Sequence, residues 1–232
     1  MRRQDSSRTY ARIDACEMDL QRTDIWSQRI TYILTHFMRW FSEHWLFMAN
    51  LAVALYLGLP LLAPVLMHAG HEDPARLIYL LFRPLCHQLP ERSFFLYGAR
   101  WTYSYDQLIQ ITGQMVPQRY IGDPQIGYKV AMCQRCVAIY LSMLLFGLLF
   151  GIARKYLKPL PIRVLFAIIA PLAIDGLGQL VGLWTSTWLS RTITGGLFGL
   201  GCIWFAYPYL ERGMTEIQGE TAKTLAQWEE TG

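Results

Sequence analysis

The chain has 232 residues, of which 53% are hydrophobic and only 16% charged, and its formal net charge is +4. That is too few solvating groups to cover a compact water-soluble domain of this size. The surplus Lys and Arg are scattered and no nucleic-acid motif accompanies them, so a lipid bilayer is the expected partner and nucleic acid is not.

Residues 1–20 are polar, lack apolar periodicity and are expected to form a flexible cytoplasmic N-terminus. Over residues 21–44, Ile30, Ile33, Leu34, Phe37 and Phe41 recur at helical spacing while Arg29, Thr35, Arg39 and Glu43 take the other side. This predicts an N-terminal amphipathic helix at the cytoplasmic lipid interface, with packing on the inner surface of a bundle as the alternative. Apolar stretches follow over residues 45–67, 136–153, 164–190 and 192–210. Each approximates the roughly 20 residues needed to cross the hydrocarbon core, which predicts an all-α integral membrane fold with four transmembrane helices. The first stretch lies far from Met1 and is too long for an export signal, so it is expected to stay in the mature protein. Within it, Pro60 and Pro64 predict a kink or early end, and Asn50 reads as helix–helix glue.

Between the second and third stretches, Arg154, Lys155, Lys158 and Arg163 occur without an intervening acid, which places that loop in the cytoplasm. Both termini, including a tail over residues 211–232, are then cytoplasmic, and residues 68–130 form a small extracytoplasmic cap. Inside the cap, residues 75–85 predict a short helix, residues 100–111 alternate like a strand, and Gly122-Asp123-Pro124 predicts a turn. Gly195 and Gly199 have the spacing that lets two helix backbones approach closely in lipid.

Chemistry concentrates where the cap meets the second span. Cys133 and Cys136 lie one turn apart at a helix start, a geometry in which two thiolates share a metal or form a redox-active disulfide. Cys86 and His87 lie upstream, between Pro84 and Pro90. Zinc sites are commonly completed by Cys and His to four ligands, so the expected metal set is Cys86, His87, Cys133 and Cys136, with His68 and His71 in reserve. Neighbouring residues diverge on a regular helix, so Cys86 and His87 can both ligate only at a turn. The alternatives are a redox dithiol, which an extracytoplasmic position permits, and buried structural thiols. Three outer cysteines leave one unpaired, with Cys16 inside and Cys202 mid-span, which weighs against the redox reading.

Asp175 lies well inside the third span, where a carboxylate costs about 2.5 to 3.5 kcal/mol on insertion scales, so it is expected to face the bundle interior. Gln179 lies one turn further along the same face, and Arg135 and Arg191 start the neighbouring helices. These four residues are the candidates for any catalytic role, arranged as a ladder from Asp175 through Gln179 to one arginine beneath the cysteines.

The run Cys86-His87-Gln88-Leu89-Pro90-Glu91-Arg92-Ser93-Phe94, the run Cys133-Gln134-Arg135-Cys136-Val137-Ala138-Ile139-Tyr140, and Asp175-Gly176-Leu177-Gly178-Gln179 with Arg191, Thr194 and Gly195 resemble a prokaryotic membrane-protein family, domain of unknown function 2085. The resemblance covers roughly residues 75–210 and implies a membrane protein with these residues as its signature, while bringing no activity with it. A looser likeness is to the disulfide-forming quinone reductases, although this chain lacks their second cysteine pair.

The favoured expectation is therefore a membrane protein with an extracytoplasmic-side Cys/His zinc site above a polar intramembrane pocket. The alternatives are a membrane thiol-disulfide oxidoreductase using the Cys-X-X-Cys pair, and a small binding or transport module with structural thiols. A transporter of this size would need a homo-oligomer.

Overall fold

The structure, a computed structural model, describes the backbone of residues 3–231 and the side chains of residues 26–230. The expectation of a flexible segment over residues 1–20 falls outside the side chains described, although the helix backbone begins at Arg3. In chain order the elements are α1 (Arg3–His68), α2 (Glu72–Phe82), a 3-10 turn at Pro90–Arg92, β1 (Ser93–Leu96), α3 (Tyr105–Thr112), β2 (Gly122–Asp123), β3 (Gly127–Cys133), α4 (Gln134–Ala153), α5 (Ile162–Leu180) and α6 (Trp188–Thr231). The four helices α1, α4, α5 and α6 are long and apolar enough to cross a membrane.

The chain divides into two compact units, Leu46–Glu211 and a flanking one of Met1–Trp45 with Arg212–Gly232. In the flanking unit, Gln218 Nε2 donates to the Ser42 carbonyl at 2.7 Å and the rings of Tyr32 and Trp228 lie 5.5 Å apart. Ile30, Ile33, Leu34 and Phe37 are exposed there, the apolar set that the helical spacing picked out.

In the larger unit, α1 continues through Pro60 and Pro64, both fully buried, so neither proline ends the first span. The third span is shorter than its hydropathy suggested. Gly182, at φ +76°, stops α5: its N–H bonds the Gln179 carbonyl at 3.3 Å, and Leu183 N–H bonds the Gly178 carbonyl at 2.9 Å. These paired bonds satisfy the last carbonyls and turn the chain, although apolar residues continue beyond.

The short helix expected over residues 75–85 is present as α2, and the cap holds one helix more than expected, with its strands in other places. Residues 100–111 do not form a strand, because Ser104 and Gln107 build a capping box, with Gln107 N–H to Ser104 Oγ at 3.2 Å and Ser104 N–H to Gln107 Oε1 at 2.9 Å. The reciprocal bonds launch α3, and local capping outweighs the alternation of Trp101, Tyr103 and Tyr105. The strands form elsewhere, as an antiparallel sheet in the order β1-β3-β2, with Ser93 opposite Cys133 and Phe95 opposite Lys129. β3 is buried along nearly its whole length, so it shows no alternation in sequence. The turn at Gly122-Asp123-Pro124 is present, closed by Asp123 Oδ1 accepting from Gln125 N–H at 2.7 Å and Ile126 N–H at 2.9 Å.

The core joins the cap to the bundle: Leu57 and Ala63 of α1, Ile78 and Phe82 of α2, Met132 of β3 and Val137 of α4 pack together. Lys129 lies within the cap at 2% exposure, its Nζ donating to the Gln88 carbonyl at 2.6 Å and the Gln118 carbonyl at 3.5 Å. Burial lowers its pKa from 10.5 to about 8. Deeper down, α6 lies against α4 through its glycines. A Cβ on Gly195 would stand 2.8 Å from the Arg135 carbonyl oxygen, and one on Gly199 would stand 2.5 Å from that of Ile139 and 2.0 Å from Ser142 Oγ. The small residues therefore permit backbone contact between these two spans.

Two outcomes follow from this packing. Gly199→Ala destabilises the bundle by about 1 to 3 kcal/mol, the usual cost of overpacking, measured by thermal unfolding in mild detergent, whereas Gly196→Ala, which meets open space, does not. For Lys129, the folded-state pKa lies below the unfolded one, so the unfolded chain binds more protons between about pH 8 and 10.5. Wild-type stability relative to Lys129→Met therefore rises with pH across that window and is flat below it.

Candidate metal centre

Three thiols meet where the cap enters the bundle. Cys133 closes β3 and is the N-cap of α4, and Cys136 follows one turn later. Cys86 lies just after α2, where its N–H still bonds the Phe82 carbonyl at 2.9 Å. The pairing of β1 with β3 sets Ser93 opposite Cys133, and the loop before β1 thereby brings Cys86 alongside. The three sulfurs lie within 4.8 Å of one another, and the Cys133 N–H donates to Cys86 Sγ at 3.1 Å. Cys86 and Cys133 are buried, Cys136 is half-buried, and all three are free.

Hydrogen bonds from Cys133 and Cys136 hold the Cys86 thiol far below its ordinary pKa, while the bond to Cys86 and burial outweigh that from Cys136 and push Cys133 up. Cys86 is thus the most readily ionised thiol of the cluster, with S–H and N–H donors around its sulfur.

His87 is not in this group. It is exposed, and its Nδ1 accepts from Leu89 N–H at 3.3 Å. The next residue, Gln88, takes a left-handed conformation at φ 49°, with its Nε2 donating to the Tyr79 carbonyl at 2.9 Å and Lys129 on its own carbonyl. The reserve ligands are also elsewhere, with His68 stacked on Tyr97 at 4.1 Å and His71 exposed beside α2.

The cysteines line a cavity of about 210 Å3 together with Arg92, Arg135 and Arg191. Asp175 is buried, as its depth requires, and forms an ion pair with Arg135. Its other oxygen accepts from Ser186 Oγ at 2.8 Å and Ser190 Oγ at 3.3 Å. Gln179 does not touch Asp175 directly; Ser186 stands between them, 2.8 Å from Asp175 Oδ1 and 3.5 Å from the Gln179 amide. With its amide oriented to satisfy its neighbours, its oxygen accepts from Arg92 Nη2 at 3.1 Å and Arg191 Nη2 at 3.3 Å. Arg191 also donates to Gln134 Oε1 at 3.1 Å, and Gln134 Nε2 donates to the Ser93 carbonyl at 3.1 Å, which ties α6 to the sheet.

Sequence reasoning singled out Arg135, Asp175, Gln179 and Arg191, and they are brought together here. It missed Arg92, Gln134, Ser186 and Ser190. Arg92 and Gln134 stand within the two cysteine motifs, and their polarity beside apolar runs was the available signal. Asn50, by contrast, serves packing: its Nδ2 donates to the Leu46 carbonyl at 2.9 Å, and its Oδ1 occupies the space a Cβ of Gly147 would need.

Four apolar helices, a small sheet-bearing cap and a three-thiol cluster beside buried and half-buried arginines define a multi-pass membrane protein with a polar centre at one end of its bundle. Residues 125–205 match the family described as "Predicted membrane protein (DUF2085)", the resemblance that the sequence motifs carried. An uncharacterised protein of Methanocaldococcus jannaschii is 28% identical over 134 residues, which is 56% of this chain and 67% of that protein. No solved structure matches the chain.

The Asp175–Arg135 pair predicts strong coupling. Asp175→Asn or Arg135→Gln alone leaves one charge of this largely buried pair uncompensated and destabilises by up to about 3 kcal/mol. The double variant costs clearly less than the sum of the two, read from unfolding in detergent as a double-mutant cycle.

Proposed function

We propose that the protein binds one zinc ion through Cys86, Cys133 and Cys136 at the extracytoplasmic end of its four-helix bundle, beside the polar pocket lined by Arg135, Gln179 and Arg191. The observation that carries this reading is the convergence of three sulfurs, from two separated segments, to within 4.8 Å of one another. Thiolate is the preferred soft ligand for zinc, with Zn–S distances near 2.3 Å, and three sulfurs at this spacing need only small shifts to share one ion. Three protein ligands would leave a fourth coordination position open, and the same three cysteines line the 210 Å3 cavity. A zinc ion with an open position polarises a bound oxygen and lowers the pKa of bound water, and in that case the neighbouring arginines orient and neutralise an anionic reactant.

His87 is left outside the ligand set in this reading, because its Nδ1 already accepts a backbone N–H and its ring does not join the three sulfurs. The placement at the extracytoplasmic side, with both termini in the cytoplasm, rests on Arg154, Lys155, Lys158 and Arg163 at the other end of α4 from the cysteines.

Metal analysis of protein purified in mild detergent, with thiols counted under denaturing conditions, tests the reading. The expected result is about one zinc per chain, lost on Cys86→Ser, Cys133→Ser or Cys136→Ser and retained on His87→Ala. Any single Cys variant should lose as much metal as the triple one, since ligands sharing an ion act as a unit. A stoichiometric disulfide without metal selects the thiol-disulfide reading instead.

A further inference from the structure

Burying a guanidinium in a membrane protein is costly unless something neutralises it. Three of them, Arg92, Arg135 and Arg191, line the small cavity beside the thiols. Arg191 is only 8% exposed. Each of the three retains a buried Nε–H that meets no acceptor. Such groups are expensive to leave unmet, and arginine is the side chain best shaped to grip oxyanions.

The acceptors supplied by the chain do not match this supply of charge. No carboxylate lines the small cavity among the described residues, and Asp175 reaches only Arg135 of the three. Gln179 takes one N–H from each of Arg92 and Arg191 through a neutral amide, which orders the two side chains without cancelling either charge. Among the three arginines only Arg135 has a carboxylate in an ion pair, so Arg92 and Arg191 face the small cavity with neutral acceptors alone.

We propose that this cavity binds a phosphate group, held by Arg92, Arg135 and Arg191, with Gln179 setting the spacing of two of them. A tetrahedral phosphate presents three outer oxygens, which suits donors arriving from three separate elements better than the two oxygens of a carboxylate. Arg92 comes from the 3-10 turn before β1, Arg135 from the first turn of α4 and Arg191 from the first turn of α6. The rest of the molecule has room as well. Arg92, Gln179 and Arg191 also line a second cavity of about 780 Å3, whose walls include Trp101, Thr187 and Trp188. The phosphate thus sits in the smaller space and its substituent in the larger one. This inference goes beyond the zinc reading and stands without it, because it rests on the arginines alone.

The test uses the full chain in dodecyl maltoside, a phosphate-free detergent, titrated calorimetrically with inorganic phosphate, dihexanoyl phosphatidic acid or acetate, while zinc is measured on the same samples. The expected result is saturable binding of at least one phosphate probe and no comparable binding of acetate, with affinity falling at least tenfold in both Arg191→Gln and Arg92→Lys. Phosphatidic acid binding tenfold or more tighter than inorganic phosphate identifies a lipid headgroup as the source, and comparable affinities identify a soluble phosphate. Arg92→Lys keeps the charge and lies at a half-buried position, so it carries the test if Arg191→Gln does not fold. Absence of binding by both phosphate probes, equal binding of acetate, or unchanged affinity in a folded variant overturns the proposal. Phosphate binding by zinc-free wild-type protein sinks the metal reading alone, and zinc without phosphate binding sinks only this one.

Discussion

The centre of this protein depends on one strand pairing. β3 runs without a break into α4, so Cys133 is at once the last residue of a sheet and the cap of a membrane helix. Its opposite number across the sheet is Ser93, seven residues after Cys86 in sequence. The backbone bonds of that pairing, and the Cys133 N–H directed at Cys86 Sγ, bring a distant thiol to the helix start. Slipping an antiparallel pair by one residue sends every side chain to the other face. Register in a sheet of three short strands is therefore what keeps the third sulfur with the other two.

A second layer of polar contacts locks that arrangement to the bundle. Gln134 is fully buried, bridging the Ser93 carbonyl and Arg191. Through it, the sheet in the cap and the first turn of α6 share one hydrogen-bonded path. The same few residues thus fix the sheet, the helix starts and the walls of the thiol cavity, and a substitution at Gln134 acts on all three.

Much of this could be read from sequence where the signal was local or compositional. Four spans follow from apolar length, the Cys-X-X-Cys geometry from helical spacing, and the inward Asp175 from the cost of a carboxylate in hydrocarbon. What sequence could not supply was which non-local partners meet. The buried strand β3 resembles any short apolar run, and only its pairing with β1 shows that Cys86 reaches the cluster while its neighbour His87 does not. The direct Asp175–Arg135 pair and the three-arginine wall likewise depend on helix rotations that spacing alone leaves open. Stop signals outweighed hydropathy at Gly182, and a capping box outweighed alternation at Ser104.

The helix α5 is enclosed by the rest of the chain less than the other three spans, with only Asp175 and Gly178 buried. Its 19 residues rise about 28 Å, slightly less than the average hydrocarbon thickness of about 30 Å. A short span with little side-chain packing adapts to its surroundings by tilting or by thinning the lipid around it. Here the ion pair to Arg135 and the serines on Asp175 hold one part of the helix in place. Bilayer thickness therefore acts on this protein chiefly through α5, and the mechanical load of hydrophobic mismatch falls on the polar contacts that shape its centre.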